Sequence, residues 1–259
     1  MGITRRNLLI SASSVASSLA VGKPGGAAQA PASAASQPTS TRKMKLVVCG
    51  GHPGDPEYGC GGTVATLSAL GCEVVLLYLN DGAWPPTPAS VRQAEAATAC
   101  EVLRARPAYV GQVNGHAVVD QARYDDFQSI LARENPDAVL THWPLDNHAD
   151  HRAATMLAFN AWQNLGKRFA LYYYEVSNGE DTLQFVPNLY SDISATERQK
   201  RAACYAHASQ NPDKYYALQD EVTRFRGLER GYKWAEAFLM QQQSPRDVLS
   251  FLLQDQKIE

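Results

Sequence analysis

His52-Pro53-Gly54-Asp55 closes the first strongly apolar run of this chain, and His148-Ala149-Asp150-His151 lies well downstream. Neutral imidazole nitrogens and carboxylate oxygens are the donors that a divalent ion such as zinc takes. The Pro53-Gly54 turn lets His52 and Asp55 converge on one ion, so a third ligand must come from elsewhere. In the second cluster His151, at the opening of a helix, is the better ligand and His148 the better catalytic partner. Two imidazoles and a carboxylate from separate loops leave room for water and substrate, the arrangement of a metallohydrolase. Position 54, however, holds a glycine where a hydrolase would want a base. The same donor set accommodates Fe(II) in oxygenases, but those sites are usually framed by a β-barrel.

The elements that must position these residues alternate. Apolar runs at 44–49, 73–79, 108–110, 137–142 and 169–176 read as strands buried on both faces. Between them, 59–70, 90–104, 120–133 and the stretch after His151 read as helices, with Gly71 as a C-terminal cap. Helices at 196–209 and 228–239 are expected to finish the domain. This βαβ alternation predicts an α/β, Rossmann-like three-layer fold with a mainly parallel sheet and the metal site at the carboxyl ends of its strands. Gly59-Cys60-Gly61-Gly62 could form a phosphate-cradling turn at a helix start, although it fails the dinucleotide spacing.

Both clusters now sit in a wider pattern. His52-Pro53-Gly54-Asp55-Pro56-Glu57, Gly59-Cys60-Gly61-Gly62-Thr63 and His148-Ala149-Asp150-His151 resemble the LmbE-like or PIG-L family of zinc-dependent sugar de-N-acetylases. Arg92 with Glu95, Lys200 before His207-Ala208-Ser209-Gln210, and Ala235-Glu236-Ala237-Phe238 extend the likeness across nearly all of the domain. The resemblance implies that His52, Asp55 and His151 hold one zinc ion, which acidifies a water for attack on an acetamide carbon. It implies further that His148 stabilises the oxyanion and that Asp150 orients a neighbouring histidine by a hydrogen bond. The family's usual motif has an aspartate base where this chain has Gly54. Asp146, Asp81 and Glu57 are the candidate substitutes, with Glu57 better suited to holding the loop. Arg92 reads as an exposed helix pair with Glu95 or as a substrate contact. Trp84 and Trp143 could stack on a sugar ring or serve as core and rim. His116 and His142 read as loop or core histidines.

Composition sets the address and the partners. Thr4-Arg5-Arg6-Asn7 before a short, serine-containing apolar stretch predicts a twin-arginine signal over 1–30 and export to the periplasm or medium. That stretch is too short and too weakly apolar to be a membrane anchor. A Pro/Ser/Thr/Ala tract over 31–43 reads as a tether, leaving 44–259 as one domain. A net charge of -2 with mixed signs offers no basic stripe for nucleic acid, which leaves a small molecule or glycan as partner. The oligomeric state is not legible. The five cysteines include no CxxC pair and sit in apolar or glycine-rich contexts, which favours buried thiols over a disulfide.

Overall fold

Lys45–Gly50 forms β1, whose residues from Leu46 onward are buried, as a strand covered on both faces requires. The computed structural model describes residues 42–176 and 180–254, so the paired-arginine segment and the tether up to residue 41 lie outside the described residues. After β1 come α1 (Asp55–Ala69), β2 (Glu73–Asn80), α2 (Ala89–Leu103), β3 (Arg106–Gln112), α3 (Gln121–Glu134), β4 (Ala138–His142), α4 (Ala149–Asn164) and β5 (Ala170–Tyr174). The remainder is α5 (Glu180–Gln184), β6 (Leu189–Asp192), α6 (Glu197–Ala206), a 3₁₀ turn, α7 (Pro212–Leu228), β7 (Ala235–Met240) and α8 (Val248–Leu253).

One sheet orders the strands β3-β2-β1-β4-β5-β7-β6. The first five pair in parallel, and β7 runs antiparallel between β5 and β6. Alternate strand side chains face opposite layers. Leu46, Val48 and Leu76 pack with Val64 of α1 and Cys100 of α2, whereas Val47, Val75 and Leu77 pack with Leu131 of α3 and Trp162 of α4. The order reverses between β1 and β4, so the loops after these two strands diverge at the carboxyl edge and leave a crevice. Both histidine clusters occupy those loops.

The helix expected at 228–239 is instead the turn after α7 followed by β7. Ala235-Glu236-Ala237-Phe238-Leu239-Met240 is built of good helix formers, but pairing with β5 and β6 overrides that preference. The glycine run is no phosphate cradle either. It lies inside α1, where a side chain at Gly59 would stand 2.5 Å from the Tyr174 ring and one at Gly62 would stand 2.7 Å from Ile193. A kink at Cys60 frees backbone amides, and the buried Glu236 carboxylate takes those of Gly62 and Thr63 at 2.9 and 2.7 Å. The same carboxylate pairs with Lys200 of α6 at 2.6 Å, both side chains being 1 % exposed. All five cysteines are free thiols, four buried and Cys72 half-buried. Among the described residues, no helix is long and apolar enough to cross a membrane.

Because the Lys200–Glu236 pair is wholly desolvated, removing one charge strands the other. Lys200→Met should lower unfolding free energy by about 3–5 kcal/mol. Urea denaturation checks this, and a loss typical of a surface pair would contradict it.

Candidate metal centre and substrate cavity

Three donor atoms meet where β1 and β4 end. Asp55 Oδ2 lies 3.1 Å from His52 Nδ1 and 3.0 Å from His151 Nε2, and the two ring nitrogens are 3.2 Å apart. A tetrahedral ion with bonds of zinc–nitrogen length spaces its ligands by roughly 3.3 Å, so these atoms fit one face of such a site. All three residues line a cavity of about 710 Å³.

Each imidazole is oriented from behind. His52 Nε2 meets Asp150 Oδ2 at 3.1 Å, and His151 Nδ1 meets Asp146 Oδ2 at 3.0 Å. These carboxylates accept the far ring proton and leave the lone pairs of His52 Nδ1 and His151 Nε2 for a cation. Burial works to lower the pKa of His151, but Asp55 and Asp146 outweigh it and raise it to about 10. A divalent ion and a proton therefore compete for the same nitrogen.

His148 is the amino-terminal cap of α4, its Nδ1 accepting the Asp150 backbone N–H at 3.2 Å and its ring centred 4.7 Å from those of both His52 and His151. Because Nδ1 is an acceptor, the neutral ring carries its proton on Nε2. Burial and then the neighbouring His151 and His52 lower its pKa, which favours that neutral form. The exposed ring lines the cavity.

His142, expected as a loop or core residue, lies directly beneath the donors. Its ring stacks on His151 with centroids 3.9 Å apart. Nε2 accepts the Gly51 N–H at 2.9 Å, which occupies the lone pair that faces Asp55. Burial and then the His151 charge lower its pKa to about 4, so it is a neutral support. A lone histidine ending an apolar strand carries no spacing signal that would have marked it.

The candidate substitutes for the missing base are elsewhere occupied. Asp146 is 1 % exposed, with one oxygen on His151 and the other on the His148 amide. Asp81 caps its own turn through the Ala83 amide at 2.9 Å and does not line the cavity. Glu57 is fully buried and accepts from Gly54 N, Tyr78 Oη and His207 Nε2. It holds the loop. Asp150 likewise lies behind His52, outside the cavity lining.

Of the expected substrate contacts, Trp84 is 65 % exposed on the cavity rim, and Arg92 lines the wall. Arg92 is not an exposed helix pair: it is buried, donates to the Pro53 carbonyl and pairs with Glu95, which in turn accepts from Ser209. Trp143 is buried against Phe185 and does not reach the cavity, so its role is packing rather than sugar stacking.

Residues 47–162 match the family model PIG-L: GlcNAc-PI de-N-acetylase. Over these residues the chain resembles the PIG-L family. The matched segment runs from β1 to α4 and so spans both clusters. The chain is 27% identical over 219 residues to the diacetylchitobiose deacetylase of Thermococcus kodakarensis, covering 74% of this chain and 82% of the relative. Among solved structures, the conserved protein TT1542 of Thermus thermophilus is 27% identical with a TM-score of 0.69, covering 79% of this chain and 97% of that one. GalB, the 4-carboxy-2-hydroxymuconate hydratase of Pseudomonas putida, shares the fold at 19% identity and a TM-score of 0.65, covering 79% of this chain and 98% of that one.

Gly54, inside the matched segment, has φ +113. A Cβ there would meet the Tyr58 ring at 3.7 Å and His207 at 3.8 Å, ordinary contacts, so the obstacle to a side chain is the backbone and not space. Gly54→Ala should therefore cost about 1–3 kcal/mol of stability. Denaturant midpoints of the two proteins test this, and an unchanged midpoint would show that the loop relaxes freely.

Proposed function

We propose that this protein is an exported, metal-dependent hydrolase that removes an acetyl or similarly small acyl group from an N-acetylated amino sugar or glycoconjugate. The observation that carries the reading is the convergence of His52, Asp55 and His151 on the floor of a cavity that His148 also lines. The deacetylase relative supports the reaction class. The paired arginines supply the reason to expect export through the twin-arginine pathway, to the periplasm or beyond.

Zinc suits two imidazoles and a carboxylate, with Fe(II) the next candidate, and when bound supplies Lewis acidity toward water and the acyl carbonyl. The C–N bond breaks as the water oxygen bonds to the acyl carbon, the proton that water loses passes to the departing amine nitrogen, and the chain's own groups orient the reactants and stabilise the charge. His148 donates Nε2–H to the carbonyl oxygen as negative charge develops on it. Asp146 and Asp150 keep His151 and His52 in the ligating tautomer. Trp84 on the rim offers an aromatic face to a sugar ring.

Among the described residues lining the cavity, Asp55 is the one carboxylate, and it belongs to the donor set. This favours a second reading, a sugar-binding protein that keeps the metal pocket without turnover. Acetate release from N-acetylglucosamine oligomers by zinc-loaded protein separates the two. The hydrolase reading expects chelator-sensitive release, with His148→Gln lowering kcat by roughly 10²–10³-fold at unchanged zinc content. Binding of the oligomers without release, with turnover appearing in Gly54→Asp, would support the second reading instead.

A further inference from the structure

Asp150 touches more than a metal ligand. Its Oδ2 accepts from His52 Nε2 at 3.1 Å, from the Gly115 amide at 2.7 Å and from Asn80 Nδ2 at 3.2 Å, while Oδ1 accepts from the Ala117 amide at 3.2 Å. Burial pushes this carboxyl up, yet the hydrogen bonds from His52, Gly115 and Ala117 outweigh it and hold it at about 2. Gly115 and Ala117 belong to the loop between β3 and α3, and Asn114 and Gly115 line the cavity. Asn114 Nδ2 in turn donates to the Ala83 carbonyl at 3.0 Å, next to Trp84 on the rim. One side chain in the first turn of α4 thus joins the donor cluster to a cavity wall that comes from two other loops.

We propose that Asp150 is a positioning residue that couples occupation of the cation site to the substrate-binding wall at Asn114 and Gly115. This rests on the reading that His52, Asp55 and His151 bind a divalent ion. A cation on His52 Nδ1 requires the ring proton to sit on Nε2 and makes that N–H a stronger donor to Asp150. The strengthened bond fixes the carboxylate, and the carboxylate fixes the Gly115 and Ala117 amides. Coupling is reciprocal, so a substrate that presses the wall into place tightens the cation by the same factor.

An amide cannot replace this carboxylate. All four partners are donors, so however the amide of Asp150→Asn turns, one N–H faces another N–H. With its oxygen kept toward the three donors of the Oδ2 side, the Ala117 arm is lost.

Hydrogen exchange of the peptide spanning 113–119, with and without zinc, tests the coupling in the wild-type chain, while calorimetric titration reports zinc binding separately. The expected result is that zinc slows exchange of the Gly115 and Ala117 amides by about 5- to 150-fold, the range of ordinary coupling energies. In Asp150→Asn that slowing is lost at Ala117 although zinc still binds. Measurable zinc binding with unchanged exchange in the wild type would overturn the proposal, as would full zinc-dependent slowing in Asp150→Asn. Failure to bind zinc at all would instead overturn the metal reading beneath it.

Discussion

Two imidazole nitrogens and a carboxylate oxygen held within 3.2 Å of one another are the arrangement on which the rest of this structure depends. Lone pairs that close repel unless a proton or cation lies among them, and they come from two chain segments, the β1–α1 turn and the first turn of α4, that must be pinned independently. The sheet does the coarse placement by ending β1 and β4 side by side at the point where strand order reverses. Close approach does the fine placement: a side chain at Gly51 would stand 2.7 Å from the His151 ring, so only glycine lets the end of β1 pass beneath that ring.

Behind the donors sits a layer of buried polar groups, each of which serves the loop geometry. Asp146 and Asp150 face the far sides of His151 and His52. Glu57 gathers Gly54, Tyr78 and His207, and Arg92 ties Pro53 to the Glu95–Ser209 contact. In a low-dielectric interior such groups are costly when unpaired and strongly orienting when paired. The carboxylates that composition alone would nominate for proton transfer are therefore engaged in holding imidazoles and amides. Gly54 fits the same pattern, since its backbone conformation suits a tight turn better than a side chain.

Much of this was legible in the sequence because it is local. His52 with Asp55, and His148 with His151, are short-range patterns at the ends of apolar runs, and the alternation of those runs sets the sheet. What was not legible is non-local. His207 finds Glu57 across 150 positions, and His142 supports His151 through stacking and holds the Gly51 amide, contacts that no spacing announces. The segment 235–240 carries helix-forming residues but is a strand because its neighbours demand one. In α7 the buried face includes Gln219, Thr223 and Arg226, so its apolar periodicity is weak. The glycine run showed the converse error: its composition suggested a ligand, whereas its role is close packing of α1 against β5 and α6.

Everything proposed for this site requires that one divalent ion be held by His52, Asp55 and His151. X-ray absorption at the zinc edge of the reconstituted protein tests that most directly. The expected result is one zinc per chain with a nitrogen and oxygen shell at roughly 2.0–2.1 Å, and multiple scattering from two imidazoles that falls to one in His151→Ala. A sulfur shell near roughly 2.3 Å, or a spectrum unchanged by that substitution, would contradict it.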